Sequence, residues 1–203
     1  WMLEVDIRES QDGVLVMQHD PDLRLNFGDA RQLADLTWAE LAALRTKDGH
    51  RLQTFEELVA AAKAHGLRLM LDSKAPHSPA FPARVEAILR RHDMLAGCYV
   101  IGTGDVMDHL TGKALVGKKF RGLKPLVEAD PAAKERFFLF EQGTTLTEVW
   151  VKWAQARGVK VVPSINVYQY YDPATMAGTT REELAPVLCA AARRHIEALT
   201  ALG

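Results

Sequence analysis

Short apolar stretches at residues 2–7, 14–18, 67–72, 99–102, 137–140 and 159–165 are separated, for most of the chain, by stretches with helical spacing. The helical stretches fall at about 37–44, 54–65, 83–91, 106–110, 146–157 and 181–202, and Thr54 with Glu57 three residues on reads as a capping box that Gly66 closes. Strands alternating with helices make βα units, and βα units make a parallel sheet. The expected class is therefore α/β, and residues 1–203 read as a single domain. A (β/α)₈ barrel takes about 250 residues, so 203 residues suit a barrel incomplete at both termini. A doubly wound open sheet is the alternative. The ends agree with an incomplete barrel. Residues 1–7 open inside a strand, and Gly203 sits where a helix C′ glycine precedes a further strand.

One junction resists either plan. Only residues 8–13 join the first two strands, whereas parallel neighbours need a crossover of about a dozen residues. Asp12-Gly13 favours a tight hairpin instead, and the sequence leaves the choice open. The stretch at 115–125, with Gly117, Gly122, Lys118, Lys119, Arg121 and Lys124, reads as a solvated loop, and Lys113 belongs to the same basic scatter.

Charge narrows the function classes. Lys and Arg number 25 against 26 Asp and Glu, a net charge of −1, which supplies no general field for nucleic acid. No apolar run reaches the roughly 18–20 residues of a membrane span. Cys98 and Cys189 form neither a disulfide framework nor a zinc spacing. No feature sets an oligomeric state.

The acids are more informative. Glu4 and Asp6 stand two apart on a strand and share a face, while Leu3, Val5 and Ile7 take the other. The phase repeats at residues 67–74, where Asp72 and Lys74 oppose Leu67, Leu69 and Leu71. A half-buried strand with a wet polar face would give the same alternation. These polar groups, however, sit at strand C-terminal ends, where α/β sites assemble. Three carboxylates gathered there would repel by about 4 kcal/mol per pair at about 4 Å and an effective dielectric of about 20. A divalent cation removes that cost, and an all-oxygen set suits Mg²⁺ or Ca²⁺.

His19 leaves the second strand in His19-Asp20-Pro21, a place for a general acid or base or for a simple turn histidine. His50, His65, His77, His92, His109 and His195 read as solvated. Tyr168, Tyr170 and Tyr171 follow a strand end and suit either a substrate mouth or ordinary loop packing.

The run LEVDIRESQDGVLVMQHDPDL, followed by LADLTWAEL, LQTFEELV and LRLMLDSK, resembles the glycerophosphodiester phosphodiesterases across residues 2–74. Beyond that the likeness is a general pattern, strongest at Ser164-Ile165-Asn166, which is similar to the family's penultimate barrel strand. The resemblance implies a (β/α)₈ barrel of the phosphodiesterase type that hydrolyses glycerophosphodiesters to glycerol 3-phosphate and an alcohol. It implies one divalent cation on Glu4, Asp6 and Asp72, His19 as one of two catalytic histidines, and Lys74 beside the substrate phosphate. Asp72 replaces the commoner glutamate and is a methylene shorter. The family's other histidine, in a His-Arg-Gly motif on an earlier strand, has no counterpart from Trp1 onward, so the 203-residue chain is expected to be weakly active or inactive by itself. Leu25 takes the place of a family arginine and Arg24 is its neighbour. A sphingomyelinase D-like barrel enzyme and a non-catalytic headgroup-binding barrel are the rival readings.

Overall fold

The computed structural model describes residues 1–202, and the expectation that Gly203 caps the last helix lies outside them. The chain divides into two compact units, Trp1–Val116 and Gly117–Gly203.

In the first unit, β1 (Met2–Glu9) pairs in parallel with β5 (Arg68–Ser73), so that Glu4 stands beside Met70 and Asp6 beside Asp72. β5 pairs in parallel with β6 (Tyr99–Gly102), and β6 with the start of β7 (Leu115–Lys118). The open junction resolves as a hairpin: β2 (Leu15–Met17) runs antiparallel to β1, with Ile7 opposite Met17 and Glu9 opposite Leu15. Its turn is held locally. Ser10 N–H donates to the Val14 carbonyl at 2.9 Å, Gly13 N–H to the Ser10 carbonyl at 3.0 Å, and the Ser10 hydroxyl to Asp12 at 2.7 Å. Gly13, the last residue of this three-residue loop, takes φ +84, a left-handed conformation that a side chain resists.

Period-2 alternation decides the two faces of this sheet. Val5, Ile7, Leu69 and Leu71 are buried on one, and each such side chain contributes roughly 1.5–3 kcal/mol when fully removed from water. α3 (Phe55–Ala64) packs on β2 and β5 through Phe55, Val59 and Ala62, and its start is the expected Thr54–Glu57 capping box. α4 (Phe81–Arg91) buries Phe81, Val85 and Leu89 and packs on α3 and on α5 (Gly104–Leu110).

Between β2 and α3 the chain builds a small excursion of β3 (Asp22–Leu23), α1 (Arg24–Phe27), β4 (Asp29–Gln32) and α2 (Trp38–Ala43). Leu23, Leu33, Leu36, Leu41 and Leu52 close over Val16 as its core. α2 is capped by Thr37, in a capping box with Glu40.

The second unit pairs β8 (Phe137–Gln142) in parallel with β9 (Val161–Ser164) and carries α6 (Phe120–Ala129), α7 (Glu148–Gln155), α8 (Pro173–Met176) and α9 (Arg181–Thr200). The loop expected at 115–125 is corrected: it is β7 followed by most of α6. The strand is only four residues long and broken in composition by Gly117 and Lys118. The helix contains Gly122 and Pro125 yet is held by the burial of Leu123 and Val127. Tertiary burial overrides poor helix propensity there. The lysines are partnered rather than merely solvated: Lys124 pairs with Glu128 at 2.6 Å and Lys113 with Glu86 at 2.8 Å.

Candidate metal centre and active site

The parallel register of β1 on β5 creates the site. Asp6 and Asp72 are lateral neighbours on one face, and Glu4 lies one step back along β1 on that same face. One carboxylate oxygen from each of Glu4, Asp6 and Asp72 can be chosen so that all three lie within 4.8 Å of one another. Lys74, two residues past Asp72, returns its ammonium across the pair, 2.7 Å from Asp72 and 3.0 Å from Asp6.

The electrostatics follow from this crowding. Desolvation, then the charges of Asp6 and Asp72, raise the pKa of Glu4 above its ordinary value, and the positive charges of Lys74 and His19 only partly offset them. Burial opposes the charge on Lys74, but the hydrogen bonds it donates to Asp72 and Asp6 prevail and raise its pKa. Excess negative charge at Glu4, with three oxygens already convergent, fits a hard divalent cation and an all-oxygen ligand set. Asp72 reaches the cluster despite its shorter side chain.

His19 sits at the rim rather than inside. Its side chain is 70% exposed, and its Nδ1 lies 2.8 Å from Asp20. Its backbone is held more firmly than its ring. The Arg8 guanidinium donates from Nε at 2.9 Å and from Nη2 at 2.6 Å to the His19 carbonyl, and from Nη1 at 2.6 Å to the carbonyl of Ala75. Arg8 is buried, and burial lowers its pKa. Reasoning from the sequence missed this residue, although the even spacing of Glu4, Asp6 and Arg8 along β1 carries the signal.

Not all the other histidines are solvated. His50 and His65 are exposed, but His77 has a side chain only 7% exposed, stacked on Phe81 with ring centroids 4.3 Å apart and bonded to Thr103 at 3.1 Å. Thr103 in turn bonds the buried Ser73 hydroxyl at 3.0 Å. A proline-rich loop conceals this in sequence, because the contact forms only when β5 and β6 lie side by side. His92 and His109 are partly buried against Glu56 and Glu86. In the second unit Tyr170 bonds His195 at 2.8 Å, so this tyrosine is engaged in packing, while Tyr168 and Tyr171 stay exposed.

Two carboxylates side by side on parallel strands, a third behind them and a lysine across them form one acidic cluster on a single face of the sheet. The family model of the glycerophosphoryl diester phosphodiesterases matches residues 2–188, and the chain belongs to that family. Its fold is accordingly an incomplete (β/α)₈ barrel. Solved structures agree on the fold. A candidate glycerophosphodiester phosphodiesterase from Galdieria sulphuraria is 19% identical, with a TM-score of 0.66 over 92% of this chain and 77% of that one. A glycerophosphodiester phosphodiesterase from Parabacteroides distasonis is 19% identical, with a TM-score of 0.56 over 93% and 84%. An Oleispira antarctica phosphodiesterase, solved with the product sn-glycerol-3-phosphate, is 17% identical, with a TM-score of 0.61 over 79% and 71%.

Proposed function

We propose that residues 1–203 belong to a single catalytic domain that hydrolyses glycerophosphodiesters to glycerol 3-phosphate and an alcohol, with one divalent cation, Mg²⁺ or Ca²⁺, held by Glu4, Asp6 and Asp72. The observation that carries the proposal is the convergence of three carboxylate oxygens within 4.8 Å in a chain of this family. The cation, when bound, supplies positive charge that offsets the charge of the phosphodiester's non-bridging oxygens. Lys74 adds an ammonium to the same task, its flexible stem carrying it from Asp72 and Asp6 toward the substrate phosphate. His19 then gives a proton to the leaving alkoxide, or takes one from the attacking hydroxyl, through Nε2, with Asp20 on Nδ1 setting the tautomer.

The substrate in this proposal is a small molecule. Among the described residues no helix is long and apolar enough to cross a membrane. One observation favours a second reading, a non-catalytic headgroup-binding domain: Lys74 already pairs with two of the three acids. Calorimetric titration with Mg²⁺ and with Ca²⁺, coupled to an assay of several glycerophosphodiesters, separates the two when run on the protein with the barrel completed at both termini. Cation binding together with cation-dependent release of glycerol 3-phosphate supports the enzyme. Binding of neither ion refutes the ligand assignment, and binding without turnover favours the second reading.

A further inference from the structure

Arg8 and Glu9 are adjacent at the C-terminal end of β1 and point to opposite faces of it, yet both grip the segment that follows Lys74. From one side Arg8 holds the Ala75 carbonyl at 2.6 Å. From the other, the buried Glu9 carboxylate accepts from Ser78 N–H at 2.5 Å and the Ser78 hydroxyl at 3.0 Å, and is paired with Arg84. Arg8 alone of the two also reaches the β2 side, where it spends two donors on the His19 carbonyl.

The fork geometry matters. A guanidinium is planar and presents donors in fixed directions, so it can satisfy two separate carbonyls at once and hold them at a set separation. A lysine ammonium carries the same charge without that template. The two carbonyls belong to segments distant in sequence, 11 and 67 residues from Arg8. One is that of His19 itself, and the other lies one residue past Lys74.

We infer that Arg8 is a positioning residue, whose fork sets the distance between the His19 backbone and the Lys74 loop and so places the acid–base imidazole relative to the phosphate-binding ammonium. This rests on the roles given to His19 and Lys74 under Proposed function. It assigns Arg8 no contact with the substrate.

The test compares Arg8→Met and Arg8→Lys with the parent, each in the protein with the barrel completed at both termini, so that the second histidine implied by the resemblance is present. It follows the carbonyl ¹³C signals of His19 and Ala75, the calorimetric affinity for Mg²⁺ and Ca²⁺, and kcat and KM for glycerophosphocholine. In both variants the two carbonyl signals are expected to shift together. The expected loss in kcat is about 10- to 100-fold, the scale of a misplacement of about 1 Å, with KM and cation affinity within about threefold of the parent. Unmoved carbonyl signals overturn the inference. So does full recovery of kcat in Arg8→Lys, which would show that charge alone suffices, and so does a parallel collapse of cation affinity and kcat, which would mark a general loss of structure. A parent chain without turnover, combined with joint movement of both carbonyl signals in the variants, refutes the hydrolase reading and supports the structural tie through Arg8.

Discussion

The ammonium of Lys74 lies 2.7 Å from the carboxylate of Asp72, and its next contact is Asp6 at 3.0 Å. Two of the three carboxylates that would ligate a cation are therefore engaged by an internal one. Lysine and metal compete for them.

That competition gives the first prediction. In Lys74→Met the cluster loses its internal counter-charge, and affinity for Mg²⁺ or Ca²⁺ is expected to rise by about tenfold, the effect of roughly 1.4 kcal/mol. Turnover is expected to fall at the same time, because the phosphate loses its ammonium. Calorimetry beside a hydrolysis assay checks both, and a drop in cation affinity would contradict the competition.

Glu4→Ala and His19→Ala should fail in different ways. Removing Glu4 takes away one of three charged ligands and lowers cation affinity. Removing His19 leaves cation binding intact and costs about 10²- to 10⁴-fold in turnover, the usual worth of a general acid or base. Unchanged cation affinity in Glu4→Ala would show that the ligand assignment is wrong.

Gly102 lies directly against Ser73 where β6 pairs with β5. It has φ +107, and a Cβ added there would meet the Ser73 backbone N and O at 2.4 Å. Backbone atoms in a paired strand cannot retreat, so Gly102→Ala is expected to cost about 2–5 kcal/mol from backbone strain and overpacking combined. Gly97→Ala, with nothing within 4 Å, is the control and should change stability by no more than about 0.5 kcal/mol. Urea unfolding of the two variants gives the comparison.

Acid sensitivity should trace in part to Glu86. Its hydrogen bond from Lys113, assisted by those from Arg90 and His109, lowers its pKa from 4.5 to about 2 despite desolvation. A carboxyl with a depressed folded pKa binds its proton more readily in the unfolded chain. Its stabilisation is therefore present in full above the unfolded value and is lost as pH falls from about 4.5 toward about 2. Glu86→Gln is expected to flatten the curve of unfolding free energy against pH in that window. An unaltered slope would show that the cluster contributes nothing there.

The site was legible in sequence to the extent that its residues share a strand. Period 2 alone puts Glu4 with Asp6 and Asp72 with Lys74, and the capping box at Thr54 is local chemistry that survives in the fold, whereas the hairpin at Asp12-Gly13 was decided only by the pairing of the two strands. The strand and helix within 115–129 were not legible. Their signal is short and interrupted by glycine, proline and lysine, and only burial of Val116, Leu123 and Val127 selects them.

Local spacing, then, determined which side chains face the same way, because the direction of a side chain along a strand is a property of the backbone and needs no partner. Tertiary structure decided which of those faces meet. The register that sets Asp6 beside Asp72, the reach of Arg8 to two distant carbonyls and the burial of His77 depend on pairing and packing between segments far apart in the chain. Relations of that kind arise from the summed burial of both partners, which no single stretch of sequence contains.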